Sequence, residues 1–321
     1  MIQQWLNLVL DLVVMMMAVT LTALAVRLHS NSGFIGASLV TLMNFGESLS
    51  GIVIFYTRLE TSIGAISRLK TFNESVKPED RKEEDVVPAE QWPQSGVIEL
   101  NGVSASYNLI ALLLKLLDPT SESLENVIID DIPLYRISRP ALRERIIAVP
   151  QDAVFLPDGT TFRANLDPLD ASTAEDCQDV LVAMGIWDFI QERGGLDAGM
   201  SAGSLSAGQR QLLSLGRALL RRRIRARIAG LGSGASESGI LLLDEVSSSV
   251  DHETERIMRE IIRTEFRGYT IVAVSHRLDM IMDFDRVVVM DTGEVVEVGN
   301  PIILAKEEGT RFGELVRAGA K

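Results

Sequence analysis

The sequence predicts an α/β domain preceded by a pair of membrane-spanning helices. Residues 1–57 contain only three formally charged side chains, whereas the whole chain carries 44 acidic and 31 basic residues. An acidic segment with three prolines follows. Beyond it, short apolar runs alternate with stretches of helical periodicity, which is the pattern of an α/β domain.

Composition excludes several classes of protein. A length of 321 residues allows one or two domains, and a hydrophobic content of 46% argues against a disordered chain. The net charge of −13 argues against a protein whose main role is to bind nucleic acid. The single cysteine, Cys177, cannot form an internal disulfide, and three histidines leave too few ligands for a Cys/His metal site.

Two apolar runs, over about residues 5–28 and 33–56, are each long enough to cross a bilayer, which takes roughly 20 helical residues. A short polar connection between them predicts a helical hairpin. The alternative is a pair of buried helices in a soluble core, where Asp11 and Glu47 would need buried partners. In a membrane bundle these carboxylates would face the bundle interior.

The segment after the second run fixes the expected orientation. The net charge just after the second run is positive, with three basic residues and one acidic residue: Arg58, Arg68, Lys70 and Glu60. Positive charge beside a span predicts that this end lies on the cytoplasmic side. A helix over residues 62–72 is expected to leave the membrane. Seven acidic residues, three basic residues and three prolines then predict a linker. The predicted regions are a membrane region over 1–72, an acidic linker over 73–95 and a folded domain over 96–321.

Within the folded domain, strands are predicted over Val97–Leu100, Arg145–Val149, Ile240–Leu243, Ile271–Val274, Val287–Met290 and Glu294–Val298. Helices are predicted over 173–192, 206–223, 253–266 and 310–318. Three of the strands end in a polar side chain, namely Gln151, Glu245 and His276. Ligands of parallel sheets bind beyond the carboxyl ends of strands, so these three are expected to converge on one crevice.

Five short sequences occur in the order found in one family. Leu205-Ser206-Ala207-Gly208-Gln209 resembles the signature of ATP-binding cassette transporters, with Ala where Gly is usual. Leu241–Glu245 resembles the Walker B strand, Ser248–Asp251 the D-loop, Gln151 the Q-loop and His276 the switch histidine. Val149–Asp152, Gly159-Thr160 and Asn165–Pro168 are similar to the second cassette of the multidrug-resistance-associated (C subfamily) exporters.

This resemblance implies a P-loop NTPase-like cassette that binds ATP and Mg²⁺. Glu245 would accept a proton from the attacking water, His276 would contact the γ-phosphate, and Gln151 and Asp244 would hold Mg²⁺. Tyr107 would stack on adenine. The signature residues Leu205, Ser206, Ala207, Gly208 and Gln209, with Asp251, would face nucleotide across a paired cassette.

The implied partners are a second nucleotide-binding domain and further transmembrane helices, in a plasma or vacuolar-type membrane with the cassette in the cytoplasm. The implied cargo is an organic anion, a conjugate or a drug. Plainer interpretations remain open, because an Asp-Glu pair after a strand is often a solvated turn and Tyr107 can be a surface aromatic. The basic run over 217–227 is expected to be the exposed end of the signature helix rather than a nucleic-acid site.

One departure concerns the phosphate loop, a G-x-x-x-x-G-K-[ST] element expected shortly after Tyr107. Here Asn108 runs directly into an apolar stretch over 109–117, and Lys115 is expected in mid-helix with no glycine loop before it. The glycine-rich stretch over 230–239 has no lysine and is expected to be a flexible insertion. The cassette is therefore expected to be incomplete and to lack a strand beside that of Asp244.

Two hypotheses follow. The chain is the C-terminal part of a transport ATPase, or it is a non-hydrolytic piece that acts only with an intact cassette, either degenerate or missing a segment of its gene.

Overall fold

A computed structural model describes residues 2–27, 32–75, 83–103, 109–117, 125–228, 238–248, 250–292 and 294–319. The chain divides into two compact units, Met1–Glu79 and Asp80–Lys321.

The first unit contains two helices, α1 (Ile2–Arg27) and α2 (Ser32–Ser75). The predicted second span and the predicted exit helix are one continuous helix of 44 residues. No proline interrupts this range. The polar side chains at its middle bond back to the helix, since Thr61 Oγ1 donates to Thr57 O at 2.9 Å and Ser62 Oγ to Arg58 O at 2.9 Å. These bonds let hydroxyl groups lie on an apolar helix without unsatisfied donors.

Both helices expose large apolar side chains, such as Met16 at 62% and Phe55 at 70%. The range Gly36–Ser75 is long and apolar enough to cross a membrane, with a mean hydropathy of 1.4 in its most apolar window. The described part of α1 contains a shorter apolar stretch, Val9–Leu24. A Cβ atom on Gly46 would lie 3.3 Å from Val14 Cγ2, so the small residue lets the two helices pack closely.

The second unit is an α/β domain. Its described strands are β1 (Ile98–Leu100), β2 (Val127–Ile129), β3 (Ile132–Pro133), β4 (Ile147–Val149), β5 (Gly239–Asp244), β6 (Tyr269–Val274), β7 (Val287–Asp291) and β8 (Glu294–Gly299). Its described helices are α3 (Leu109–Leu113), α4 (Arg139–Arg145), α5 (Phe162–Leu166), α6 (Ala174–Ala183), α7 (Trp187–Gln191), α8 (Ala207–Ile228), α9 (His252–Glu265), α10 (Leu278–Ile281), α11 (Pro301–Lys306) and α12 (Arg311–Gly319).

Strands β4, β5 and β6 form a parallel sheet with β5 in the middle. The side chains of β5 alternate between two buried clusters. Leu241 and Leu243 pack with α6 and α8 residues, whereas Ile240 and Leu242 pack with residues of α3 and β2. Burial on both faces explains why this strand is a continuous apolar run in the sequence. All three strands end at the same edge of the sheet.

Two antiparallel sheets complete the domain. Strands β1, β2 and β3 form one, and β7 and β8 form the other, with a register shift between Val289 and Met290. Strands β7 and β8 confirm the strands predicted over Val287–Met290 and Glu294–Val298. Strands β2 and β3 were not predicted, because each has at most three residues and too little chain to reveal a period of two.

Three predicted elements differ in detail. The helix predicted over 173–192 is the pair α6 and α7, because Gly185 between them has a positive φ of 69° that ends a helix. The strand predicted from Arg145 begins at Ile147, since Arg145 is the last residue of α4. Lys115 is not in mid-helix: α3 ends at Leu113, and Lys115 has a φ of 51°.

The second half of the predicted acidic linker, residues 83–95, lies in the second unit and contacts its core. Glu84 lies 2.8 Å from Lys115 Nζ and 2.7 Å from Arg139 Nε, and all three side chains are buried. Trp92 is also buried, at 4% exposure. Composition predicted a linker here, whereas Glu84 pairs with two buried cations of the domain, and buried charges of this kind need a partner of opposite sign.

The basic run on α8 does not form an exposed tail, so that expectation was wrong. Its arginines connect α8 to neighbouring elements through described hydrogen bonds. Arg217 donates to Asn165 O and Val154 O, Arg221 to Arg143 O and Glu144 O, Arg225 to Arg145 O, Arg222 and Arg223 to Glu265, and Arg227 to Asp176. Each of these arginines thus donates to a backbone carbonyl or a carboxylate of a neighbouring segment.

Candidate functional site

The ends of β4, β5 and β6 bring three predicted side chains together. Gln151 Nε2 donates to Glu245 Oε2 at 3.0 Å, and His276 Nε2 lies 2.9 Å from Glu245 Oε1. The three residues are separated by up to 125 positions in the sequence, and the parallel sheet is what places them in contact. Glu245 therefore lies at the centre of a polar cluster at one edge of the sheet.

Glu245 is held by its backbone as well as by its side chain. Its N–H donates to Val274 O at 2.8 Å, and its carbonyl accepts from Ser248 N at 3.0 Å. Its φ of 46° is uncommon for a residue with a side chain. Side-chain exposure is 20% for Glu245 and 82% for His276, so the histidine faces solvent while the carboxylate is half-buried.

Asp244 is the last residue of β5 and lies opposite Val274 in the sheet register. Two consecutive carboxylates therefore end the central strand. Among the described residues, no group of three or more His, Cys, Asp or Glu side chains is placed to bind a metal ion. Binding of Mg²⁺ by Gln151 and Asp244 stays a prediction, and Tyr107 lies outside the described residues.

The signature sequence forms the start of α8. Ser206 Oγ accepts from Gln209 N at 3.1 Å, and Gln209 Oε1 accepts from Ser206 N at 2.9 Å. This reciprocal pair satisfies two of the donors that a helix N-terminus leaves free. Arg210 Nη1 donates to Leu205 O at 2.8 Å and holds the preceding turn against the helix.

Gly208 brings the start of α8 against the start of α9. A Cβ atom at this position would lie 3.0 Å from Thr254 Oγ1 and 3.6 Å from Asp251 Oδ2. Asp251 caps α9 by accepting from Thr254 N at 2.9 Å and from Thr254 Oγ1 at 2.8 Å. These bonds hold the pKa of Asp251 below its usual value, the backbone N–H contributing most. The signature sequence and Asp251 are thus neighbours in space.

One contact at the site was not predicted. Gln211, buried in the first turns of α8, donates from Nε2 to the backbone carbonyl of Gln151. The signature helix therefore fixes the residue whose side chain bonds Glu245. A buried glutamine on an otherwise apolar helix face was the sequence signal that could have indicated such a contact.

Comparisons with known proteins give matches to one family. Residues 91–224 match the ABC transporter family, a range that includes Gln151 and the signature but ends before Asp244. The chain is 58% identical over 374 aligned positions to the ABC-type transporter braE of Annulohypoxylon truncatum, covering 99% of this chain and 25% of that protein. It is 45% identical to the ABC transporter FGM5 of Gibberella zeae, covering 98% and 24%.

The ABC multidrug transporter B of Aspergillus fumigatus is 35% identical, with 98% of this chain and 22% of that protein covered. The fold is similar to that in the structure of a bacterial Atm1-family ABC exporter with ATP bound, with a TM-score of 0.65, 20% identity and coverage of 90% of this chain and 52% of the other. The chain spans about a quarter of the length of the curated relatives it matches.

The alignment to braE is longer than this chain. It runs over 374 positions, whereas the chain has 321 residues, so at least 53 aligned positions of the relative have no counterpart here.

Proposed function

We propose that this chain, whose residues 91–224 match the ABC transporter family, is part of a C-subfamily exporter that couples ATP binding and hydrolysis to transmembrane transport of organic anions, conjugates or drugs. The observation that carries this proposal is the contact of Glu245 with both Gln151 and His276 at the ends of three parallel strands. In a merely solvated Asp-Glu turn, the carboxylate would contact water rather than a glutamine and a histidine that follow two other strands.

Each side chain of the cluster suits one task in phosphoryl transfer to water. Glu245 is placed to accept a proton from a water molecule, and its contacts with Gln151 and His276 orient the carboxylate. His276 is exposed, so its imidazole can donate to an anionic group above the sheet edge. Gln151 Nε2 donates to Glu245, so the side-chain oxygen of Gln151 is the atom that would bind a cation.

Carboxylate and amide oxygens are suitable ligands for Mg²⁺, which binds one or two protein groups together with phosphates. Asp244 and Gln151 fit that role by chemistry and by their position at the strand ends. Bound Mg²⁺ would neutralise phosphate charge during hydrolysis.

The start of α8 is suited to a nucleotide held by another cassette. Ser206 Oγ already accepts from Gln209 N, so its own hydroxyl hydrogen is available to donate to a phosphate oxygen. The helix N-terminus adds a favourable field for an anion. The partner in this proposal is a second nucleotide-binding domain, together with further transmembrane helices.

A second candidate is a non-hydrolytic cassette that contributes only in trans. The sequence has no G-x-x-x-x-G-K-[ST] element. In the described part of the domain, β5 has strand partners on both sides, which corrects the expectation that a strand is missing beside it. Among the described residues, β4 and β6 are the edge strands of this sheet, each paired only with β5.

Apolar side chains are also exposed in another sheet of the domain. The described residues of the β7–β8 hairpin expose Val288 (51%), Met290 (59%), Val295 (58%) and Val298 (52%). An exposed apolar sheet face of this kind is typical of a surface that another segment covers. The aligned positions of braE that this chain lacks are a source of such a segment. Sequencing the transcript around codons 107–109 tests this directly: a glycine-rich, lysine-containing segment there favours the hydrolytic form.

The proposed contact of the signature with a nucleotide on another cassette can be tested in a complex. The chain is combined with braE from which the matching quarter has been removed, and the ATPase activity of the purified complex is measured. We expect Ser206→Arg to lower Mg²⁺-dependent turnover by at least about tenfold, because charge-assisted hydrogen bonds contribute about 1.5–3 kcal/mol. Thr264→Arg, an exposed substitution on α9, is the matched control. Equal turnover of both variants would remove the proposed role of the signature.

A further inference from the structure

Arg277, the residue after His276, has its side chain directed into the domain rather than toward solvent. Its Nη1 atom donates to Ser247 O at 3.0 Å and to Val250 O at 2.9 Å. The same atom lies 2.9 Å from Glu255 Oε2. One guanidinium therefore bonds two backbone carbonyls of the segment that follows β5 and a carboxylate in the first turns of α9.

The charge of Arg277 is compensated inside the protein. Glu255 has a side-chain exposure of only 3%, and it also lies 3.2 Å from Arg259 Nη2. A buried carboxylate shared by two arginines holds both in place, and the second arginine keeps Glu255 paired if the first is removed. A planar guanidinium with several N–H donors suits such a set of acceptors better than a lysine.

The loop that carries His276 is itself closed by short-range bonds. Ser275 Oγ accepts from Arg277 N at 3.0 Å and donates to Arg277 O at 3.3 Å. The helix that follows, α10, makes a second contact, since Ser247 Oγ lies 3.5 Å from Met280 Sδ and both side chains are buried. Two contacts thus join this loop to the segment after β5.

We propose that Arg277 is a positioning residue that couples the loop Ser275–Arg277 to the segment after β5, residues 246–248 and 250–251. His276 and Asp251 then move together, because Arg277 is hydrogen-bonded to the residue before each of them. These residues are Ser275 and Val250. Asp251 in turn lies against Gly208 of the signature helix. This inference rests on the proposed function for its role in the transport cycle, but the coupling itself is a property of the chain.

The coupling is testable without nucleotide, on the full chain in detergent with methyl-labelled methionines. Met280 reports the contact between the loop and the segment, and its signal is assigned with Met280→Leu. We expect Arg277→Gln to shift or broaden the Met280 methyl signal while leaving those of the core residues Met184, Met200 and Met258 in place. Arg256→Gln, which removes an exposed arginine of α9, is the matched control.

Hydrogen exchange gives the second readout. We expect Arg277→Gln to raise amide exchange in a peptide covering residues 246–251 at least about tenfold, with no rise in peptides from β5 or α8. An unchanged Met280 signal with unchanged exchange would overturn the proposal. So would an equal change at all core methionines, because that would indicate general destabilisation. Neither result depends on ATP hydrolysis, so failure of the coupling and failure of the proposed function are distinguishable.

Discussion

Glu84 and Asp85 are adjacent acidic residues with opposite surroundings, and they make a matched pair for mutation. Glu84 is buried between Lys115 and Arg139, whereas Asp85 forms an exposed pair with Arg136. Glu84→Gln removes the negative charge that both buried cations contact, and breaking a buried ion pair typically costs about 3–5 kcal/mol. For a domain of this size we expect Tm to fall by roughly 10 °C. Asp85→Asn should leave Tm nearly unchanged, and an equal fall in both variants would contradict the assignment.

The same residue predicts a pH dependence. Burial raises the pKa of Glu84, but the hydrogen bonds and charges of Arg139 and Lys115 outweigh it and hold the pKa below its usual value. Its stabilisation is therefore complete above the unfolded pKa of about 4.3 and is lost as pH falls through the lower folded pKa. The Tm difference between wild type and Glu84→Gln should be constant near neutral pH and shrink below about pH 4.

Gly208 tests the contact between the signature helix and Asp251. A Cβ atom there would crowd Thr254, whose hydroxyl and N–H both bond Asp251. The steric cost of about 1–3 kcal/mol is partly offset by a gain of about 1 kcal/mol in helix propensity. We therefore expect Gly208→Ala to change global stability little but to raise hydrogen exchange at Thr254. Gly203→Ala, whose nearest neighbour would be 3.9 Å away, is the control; identical exchange in both variants would refute the contact.

Single residues were predictable from sequence where a local pattern reports their position. Gln151, Glu245 and His276 each follow an apolar run that ends a strand, so their common edge followed from the sheet. Gln211 and Arg277 were not predictable, because their partners lie 60 and 27–30 positions away and no short pattern indicates them. Such contacts depend on how the strands and helices pack.

Among the elements, α1 and α2 carry the membrane prediction. Their exposed apolar side chains are expected to contact lipid, so the full chain should stay in the membrane pellet after an alkaline carbonate wash. A chain beginning at Glu83 retains the Glu84 cluster and should remain in the supernatant. Extraction of the full chain by carbonate would show that the helices do not span a bilayer.

Elements were predictable in proportion to their length and regularity. The buried strand β5 and the helices α8 and α9 were found because apolar periodicity extends over many residues. The division of the helix over 173–192 was missed because one glycine with a positive φ ends the first helix without changing the apolar pattern. The packing of residues 83–95 was missed because a carboxylate that pairs with buried cations has the same sequence signal as one in solvent.

For the whole molecule, the single cysteine is a natural probe of cassette folding. Cys177 is fully buried on α6, and its Sγ lies 3.3 Å from Ser172 Oγ. Burial raises the pKa of its thiol above the usual value, despite the hydrogen bond with Ser172. We expect no reaction with maleimide at neutral pH until the domain unfolds, followed by labelling at one site. Rapid labelling of the native chain would place Cys177 at the surface.

We predict that this cassette does not hold ATP tightly by itself, although its side chains suit the proposed roles in hydrolysis and toward a partner's nucleotide. Without a phosphate loop, at least three charge-assisted bonds of about 1.5–3 kcal/mol each are lost, which is roughly 5–9 kcal/mol or about three to six powers of ten in affinity.

Equilibrium binding of a fluorescent ATP analogue to the purified full chain, with Mg²⁺, measures this most directly. We expect no saturation up to about 1 mM nucleotide, which corresponds to a binding free energy weaker than about −4 kcal/mol. Micromolar affinity, or ATP turnover by the chain alone that Glu245→Gln abolishes, would contradict the account and show that another segment of the chain holds the phosphates.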